Sequence, residues 1–362
     1  MNEVRMEAEE EIAAAQREKM RQDLLGDAVE VPRVSINKYA YSCLNEEEQQ
    51  TYDEVLNAIL TFGEEVPLTT MDLDVLQKAY RAVMTDYGGL FWVSGYSYFT
   101  YYSGNEIVAL KFSPSFTMTE ERKNEVQARI DQVVSEWLSE LPADADDYEK
   151  AKFVYRTLIE KTEYDESAPE NQNIQSVFLY GRTVCQGYAA SAAYLLSSLG
   201  IPASIIIGKA NYESHAWNLV LLDGAYYYMD VTWGNSHYLD QDDSEAKHVN
   251  YGYLNVTSEE LSETHIVEMP IPIPECIAVE DNYYRREGLY FTDWYPELIG
   301  EVIHEGMMEG PGEVTMKFAN HELYQKVIDH FLIGKEIYGY VSGVSSLLYI
   351  ETEDVNVISI YK

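Results

Sequence analysis

An Asp-Gly pair between two apolar runs is the feature that most constrains how this chain folds. The run NLVLL ends just before Asp223-Gly224, and the run AYYYMDVTW begins just after them. Asp-Gly in this setting is the strongest short signal for a two-residue β-hairpin turn, because both turn residues need positive φ. The pattern therefore predicts antiparallel strands over Ser214–Leu222 and Ala225–Thr232, with the residues that flank the turn opposite each other.

The predicted hairpin brings a histidine close to an aspartate. Its register sets Trp217 opposite Asp230 and His215 opposite Thr232. Paired residues and residues two apart share a face of a sheet, so His215 and Asp230 become diagonal neighbours with Cβ atoms about 7 Å apart. At that separation the Nδ1–H of His215 reaches the carboxylate, as in the base-orienting pair of a catalytic triad. A slip of one residue would part them, so the interpretation depends on the turn.

A cysteine at the start of a predicted helix is the candidate nucleophile. The run TVCQGYAASAAYLL predicts a helix from Cys185 to Leu199, ended by Gly200. The free N–H groups and positive dipole of a helix start favour a thiolate, which is the nucleophilic form of cysteine. Gly187 in the first turn allows a neighbouring segment to approach closely. Taken singly, Cys185 and His215 are more often structural residues, and sequence spacing does not show that they meet.

Local signals predict other elements along the chain. Asn45 begins a capping box, and Thr119 caps a long helix. Gly104-Asn105 lies between two aromatic and apolar runs and predicts a second hairpin. The polar stretch Thr162–Thr183 is interpreted as a loop.

These elements suggest four segments. Residues 1–36 are predicted to form a charged N-terminal helix and linker, and residues 37–115 a small α+β domain. Residues 116–268 hold the cysteine, histidine and aspartate, and residues 269–362 form a small C-terminal α+β module. The proline-rich run EMPIPIPEC marks the boundary between the last two segments.

The charge of the chain restricts its partners. Its formal net charge is -37, which opposes binding to nucleic acid or to anionic lipid surfaces. Such a chain would attract Lys- or Arg-rich partners, although solubility alone also explains the acidity. No apolar stretch is long enough to predict a membrane span. The run MNEVRMEAEEEIAAAQREKMRQ lacks the apolar core of a signal peptide.

The cysteines and histidines show no spacing typical of a metal site. Cys43, Cys185 and Cys276 form no CxxC pair, and no HExxH or EF-hand loop is present. An odd, small number of cysteines also argues against a disulfide framework. The sequence therefore predicts neither a metal nor a cofactor.

Three motifs together carry a family resemblance. The runs TVCQGYAASAAYLLSSLGIPA and SHAWNLVLLDGAYYYMDVTWG contain V-C-x-G-Y-A, H-A-W-N and D-x-T-W, and VNYGYLNVTSEELSETH follows them. Over residues 120–268 this pattern resembles the transglutaminase-like superfamily, in its bacterial branch. The resemblance implies an α+β fold with a papain/transglutaminase-like core. In that core a nucleophile-bearing helix packs on an antiparallel sheet, flanked here by small N- and C-terminal α+β domains.

The resemblance also implies a chemistry. Cys185 would be the nucleophile, His215 the general base and then acid, and Asp230 the residue that orients His215. Acyl transfer would pass through a thioester, with water as acceptor in a protease or deamidase and a lysine amine in a crosslinking enzyme. We expect hydrolysis of a protein or peptide, including Lys-rich or cell-wall peptides, because nothing indicates a dedicated amine site. The branch favours an extracellular or cell-surface location.

Four further residues are candidates for the site. The backbone N–H of Cys185 and the side chain of Gln172, with Gln175 behind it, are candidate oxyanion donors, although a solvated loop explains the glutamines equally well. Trp217 and Trp233 are candidate substrate-binding residues. Trp217 would alternatively shield the ion pair from water, or both would simply be core aromatics.

Two other functions compete with the enzyme. The same cleft, with the triad as a relic, would hold a peptide or cell-wall stem in a non-catalytic surface protein. Alternatively, the outer modules would do the work in a structural surface protein. Reactivity of Cys185 separates the first from the enzyme, because an activated thiolate alkylates fast under mildly acidic conditions.

Overall fold

The computed structural model describes residues 2–25, 37–235, 248–344 and 346–362. The predicted linker of the first segment lies mostly outside these ranges. The described helices include none with the length and apolar character of a membrane span. The α-helices are α1 Asn2–Leu25, α2 Tyr39–Ser42, α3 Glu46–Leu60, α4 Leu73–Asp86, α5 Glu120–Leu138, α6 Asp147–Lys161, α7 Ile174–Tyr180, α8 Cys185–Ser198, α9 Val231–Gly234, α10 Ser258–Ser262, α11 Tyr283–Arg286, α12 Pro296–His304 and α13 His321–Val327.

The strands form separate sheets, and one of them carries the candidate site. A five-stranded antiparallel sheet has the order β10-β6-β7-β8-β9, a three-stranded sheet has the order β1-β3-β2, and a four-stranded sheet has the order β11-β12-β14-β13. The strands are β1 Val66–Leu68, β2 Val93–Ser103, β3 Glu106–Phe116, β4 Glu163–Tyr164, β5 Arg182–Thr183, β6 Ala203–Ala210, β7 Glu213–Leu222, β8 Ala225–Met229, β9 Leu254–Val256, β10 His265–Val267, β11 Tyr290–Phe291, β12 Glu313–Phe318, β13 Leu348–Thr352 and β14 Val357–Tyr361.

The hairpin predicted from Asp-Gly is confirmed. Leu222 pairs with Ala225, and the ladder continues in the same register to the pair of Asn218 and Met229. Asp223 and Gly224 have φ values of 46° and 84°, as a two-residue turn of this type requires. The turn therefore sets the register of the two strands as the sequence predicted.

The second strand of this hairpin is shorter than predicted. It ends at Met229, and the chain then turns into α9. Asp230 caps that helix, because its side chain accepts a hydrogen bond from the N–H of Trp233. The ladder between β7 and β8 ends at the pair of Asn218 and Met229, so the predicted pairings of Trp217 with Asp230 and of His215 with Thr232 are wrong. The capping tendency of aspartate outweighs its poor fit to a strand here.

Several local predictions are also confirmed. Asn45 and Glu48 form a reciprocal capping box at the start of α3. The side chain of Thr119 caps α5. The strands β2 and β3 pair around Gly104, which has a φ of 66°. Each of these signals lies within a few residues of the structure that it determines.

The loop predicted over Thr162–Thr183 is wrong in part. It contains α7, capped by the Asn173 side chain and ended by Gly181 in the left-handed conformation. It also contributes β4 and β5, which pair in parallel. The signals for α7 are an Asn cap, a short apolar repeat and a glycine stop.

The predicted domains over residues 37–115 and 116–268 share one apolar core. The largest apolar cluster includes residues from 40–112 and from 126–271. Asp86 reinforces this contact, since its buried carboxylate accepts hydrogen bonds from the N–H groups of Ala40 and Tyr41 and from the hydroxyl of Ser204. The positions of the domain boundaries stay predictions.

Candidate active site

Cys185 is the first residue of α8 and is half-buried. The helix packs against β7, where the side-chain N–H of Asn218 donates to the carbonyl of Ala189 at 2.9 Å. Gly187 makes the close approach at the helix start possible, because a Cβ there would meet the Thr183 hydroxyl oxygen at 1.9 Å. The position of Cys185 is therefore set by the first turn of α8, which packs closely against Thr183.

His215 and Asp230 form a buried pair, as the hairpin predicted. The His215 Nε2 lies 2.7 Å from the Asp230 Oδ2, and the two side chains are 4% and 0% exposed. The nitrogen differs from the prediction, which had Nδ1 facing the carboxylate. Strand register fixes which residues are neighbours but leaves the orientation of the ring open. With Nε2 on Asp230, Nδ1 is the nitrogen available to Cys185.

The electrostatics of the pair favour the charged form of both groups. Burial alone would lower the pKa of His215, but the charge of Asp230 and its hydrogen bond outweigh burial and raise the pKa to about 10. A side-chain hydrogen bond with Cys185 raises it further, so the thiol lies next to the imidazole. Burial would likewise raise the pKa of Asp230, but the charge and hydrogen bond of His215 hold it well below its usual range.

A second histidine, His265, contacts the same carboxylate oxygen. Its Nε2 lies 3.0 Å from the Asp230 Oδ2, and its Nδ1 lies 2.7 Å from the Thr264 hydroxyl oxygen. His265 is on β10, which pairs with β6 so that His265 lies opposite Ala210. Its role could not be predicted from the sequence, because the pairing of β10 with β6 leaves no local pattern. The one available signal was its place at the end of the family-like run VNYGYLNVTSEELSETH.

His215, Asp230 and His265 together resemble a metal-binding set. Within the described residues, their potential ligand atoms lie within 4.8 Å of one another. The sequence predicted no metal, since no close spacing links these three residues. The distances of 2.7 and 3.0 Å to one carboxylate oxygen match charge-assisted hydrogen bonds. A hydrogen-bonded cluster therefore accounts for the geometry without an ion.

Aromatic rings surround the two imidazoles. The Trp217 ring lies 5.9 Å from the His215 ring and 5.1 Å from the His265 ring. The Trp233 ring lies 4.7 Å from the His265 ring and 5.3 Å from the Tyr253 ring. Trp217 and Trp233 are only 1% and 5% exposed, which leaves little surface for a substrate. Their position suits exclusion of water from the cluster, and a direct role in substrate binding stays a prediction.

The glutamine candidates lie on the segment that contacts the helix start. The carbonyl of Asn171 accepts hydrogen bonds from the Thr183 hydroxyl and the Val184 N–H. Gln172 follows directly and is exposed, and its amide donates to the Asn171 side chain at 3.2 Å. Gln175 is buried, and its amide nitrogen has no hydrogen-bond partner among the described residues. An oxyanion role for either glutamine stays a prediction.

Comparisons with known proteins agree with the motifs. Residues 137–231 match the family model described as the transglutaminase-like superfamily. No curated protein matches the chain.

Several solved structures are similar to part of the chain. One is described as a TGase, with 16% identity, a TM-score of 0.28, and coverage of 44% of this chain and 47% of that chain. Another, provisionally named a cysteine protease, is from Cytophaga hutchinsonii, with 15% identity, a TM-score of 0.26 and coverage of 39% and 62%. A third, provisionally named a protease, is from Parabacteroides distasonis, with 8% identity, a TM-score of 0.24 and coverage of 38% and 36%. The chain therefore spans less than two thirds of each.

The segment matched by the family model contains Cys185, His215 and Asp230. It thus coincides with the part of the chain in which α8 packs against the sheet that carries the histidine. Residues 137–231 are thus identified as a domain of the transglutaminase-like superfamily.

Proposed function

We propose that this chain is a cysteine-dependent acyl-transfer enzyme that acts on amide bonds of proteins or peptides. The observation that carries the proposal is the position of His215, which pairs with the buried Asp230 carboxylate and contacts the Cys185 thiol. An imidazole held in this way takes the thiol proton, which leaves a nucleophilic thiolate beside an imidazolium.

The reaction proceeds in two stages. The Cys185 thiolate attacks the amide carbonyl carbon, and the C–N bond breaks as the His215 imidazolium gives its proton to the leaving nitrogen. The product of this stage is a thioester and a free amine or ammonia. In the second stage His215 takes a proton from the acceptor, whose oxygen or nitrogen attacks the thioester and displaces the Cys185 sulfur. The thiolate–imidazolium pair is then restored.

Two groups are candidates to stabilise the oxyanion in both stages. The backbone N–H of Cys185 is at the start of α8, where the first N–H groups have no partner within the helix. The side-chain amide of Gln172 would supply the second donor. Gln172 lies close to the start of α8, because it follows Asn171, whose carbonyl accepts the N–H of Val184. Gln175 is the alternative donor, since its amide is buried and unpaired within the described ranges.

Water is the acceptor that we favour, which makes the enzyme a hydrolase. Nothing in the sequence indicates a dedicated site for a lysine amine. The net charge of -37 favours Lys-rich substrates, with an affinity that weakens as salt increases. Mass spectrometry of a peptide panel incubated with and without a lysine donor distinguishes hydrolysis from crosslinking.

The test of the proposal is the rate at which iodoacetamide labels Cys185. At about pH 6 we expect fast labelling, and a loss of about tenfold or more in His215→Ala, because the imidazolium no longer stabilises the thiolate. Cys43 is also half-buried and serves as an internal reference whose labelling should not change. Equal labelling of Cys185 in both proteins, or peptide cleavage that survives Cys185→Ala, would contradict the proposal.

A further inference from the structure

We propose that His265 is a positioning residue, which holds the Asp230 carboxylate in place so that Asp230 in turn orients His215. This inference rests on the proposed function, because it assigns a role in the same site. The match to the family model ends at residue 231, so His265 lies beyond it, at the end of the run VNYGYLNVTSEELSETH.

Three hydrogen bonds hold the Asp230 carboxylate in place. Its Oδ1 accepts the N–H of Trp233 at 3.1 Å, and its Oδ2 accepts from His215 at 2.7 Å and from His265 at 3.0 Å. A buried carboxylate needs its lone pairs satisfied, and each charge-assisted hydrogen bond also restricts how the group can turn. Without His265, the carboxylate would be held only by its cap and by the imidazole that it must itself orient.

The hydrogen bond on the other nitrogen of His265 fixes the form of its ring. The Thr264 hydroxyl lies 2.7 Å from Nδ1 and can donate to it, which leaves Nε2 as the N–H that points at Asp230. The N–H of Asn211, at the turn between β6 and β7, donates to the carbonyl of Thr264 at 3.0 Å. His265 is thus tied to the same strand pair that carries His215.

Burial makes this contact energetically important. The side chains of His265 and Asp230 are both 0% exposed, and rings of Trp217 and Trp233 pack on His265. Water cannot replace a donor that is lost from such a site, so removal of the imidazole would leave the Asp230 Oδ2 with His215 as its one remaining side-chain donor among the described residues. The arrangement parallels the way in which outer hydrogen bonds fix the ring orientation of a metal-bound histidine.

The first experiment observes the hydrogen bonds directly. In protein labelled with ¹⁵N-histidine, we expect two downfield Nε2–H proton signals, one from His215 and one from His265. The variant His265→Leu should lose the His265 signal. It should also shift the His215 signal, because His215 is then the one imidazole that donates to the Asp230 Oδ2. Leu261→Ala is the matched control: it removes buried apolar volume from the same cluster but no hydrogen bond, and should keep both signals.

The second experiment measures the consequence for Cys185. At about pH 6 we expect iodoacetamide labelling to fall about tenfold in His265→Leu, as for loss of a hydrogen bond to a charged group. His265→Gln should restore most of the rate, because its amide N–H can reach the same oxygen, whereas Leu261→Ala should lower only the melting temperature. A purely structural role would give loss of stability without loss of labelling, and no rescue by glutamine.

The outcomes separate this inference from the proposed function. If Cys185 labels slowly even in the unmodified chain, the acyl-transfer proposal fails, while the two downfield signals still test the link from His265 to His215. If the His215 signal is unmoved in His265→Leu, the positioning role is overturned whatever the reactivity of Cys185. A loss of both signals on addition of Zn²⁺ alone, absent in His265→Leu, would assign the cluster to a metal and overturn the inference.

Discussion

At the scale of single residues, the buried ion pair makes stability depend on pH in a defined direction. Asp230 has a lowered pKa, so its contribution is complete above its unfolded value of about 3.9 and is lost as the pH falls further. His215 has a pKa raised to about 10. Its contribution is complete below its unfolded value of about 6.5 and is lost as the pH rises towards the folded value.

The variant Asp230→Asn tests this ion pair. We expect it to lower the free energy of unfolding by about 3 kcal/mol near pH 6, because it leaves the buried His215 without its counter-charge. The fall in stability between about pH 6.5 and 10 should flatten, since His215 no longer has a raised pKa. Urea unfolding at several pH values measures both effects.

A matched control for that variant is Asp165→Asn. Asp165 pairs with Arg182 at 2.6 Å, and arginine does not titrate in this range. The control should therefore leave the pH slope as it is in the unmodified chain. A steep slope that persists in Asp230→Asn would show that the ion pair does not set the pH dependence.

At the scale of elements, the Asp-Gly turn is the point at which sequence most directly determines the site. Gly224 has a φ of 84°, and a Cβ there would meet nothing within 4 Å. Gly224→Ala should therefore cost about 1–2 kcal/mol of stability through backbone strain alone. Gly339→Ala, at a glycine that also has open space but no positive φ, should cost less. Equal losses in urea unfolding would contradict the role of the turn.

The elements that the sequence predicted are those determined by neighbouring residues. The β7–β8 hairpin and the caps at Asn45 and Thr119 each depend on a few adjacent residues. The pairing of β10 with β6 joins segments that are far apart in sequence, so His265 could not be brought to Asp230 by local pattern. The ring nitrogen that faces Asp230 was likewise beyond prediction, because register positions a residue but does not orient its ring.

The same limit explains the error in the region before Cys185. The helix Ile174–Tyr180 is too short for periodicity to stand out from the polar residues around it, although Asn173 and Gly181 mark its ends. Its stability comes from packing, since Ile174, Val177 and Phe178 join the largest apolar cluster. Tertiary contacts therefore decided what the local sequence left ambiguous.

At the scale of the whole molecule, the C-terminal module packs against the sheet that carries the site. Tyr284, Val355 and Val357 belong to the same apolar cluster as Trp217 and Trp233. Polar contacts cross the same boundary: Lys317 bonds to Glu260 at 2.5 Å, and Asn250 to Thr352 at 3.1 Å. The cluster that encloses the imidazoles is thus completed by residues beyond the predicted boundary at 269.

Removal of the module should therefore loosen the site itself. We expect a chain of residues 1–276 to melt at a lower temperature and to label at Cys276, which is 1% exposed in the full chain. Burial raises the pKa of the Cys276 thiol to about 12, so exposure would restore its reactivity. A chain of residues 37–362 is the control, since the described part of residues 1–36 contributes nothing to this cluster. An unchanged melting temperature of the shortened chain, with Cys276 still unlabelled, would contradict this expectation. It would show that the core around His265 is stable without the C-terminal module.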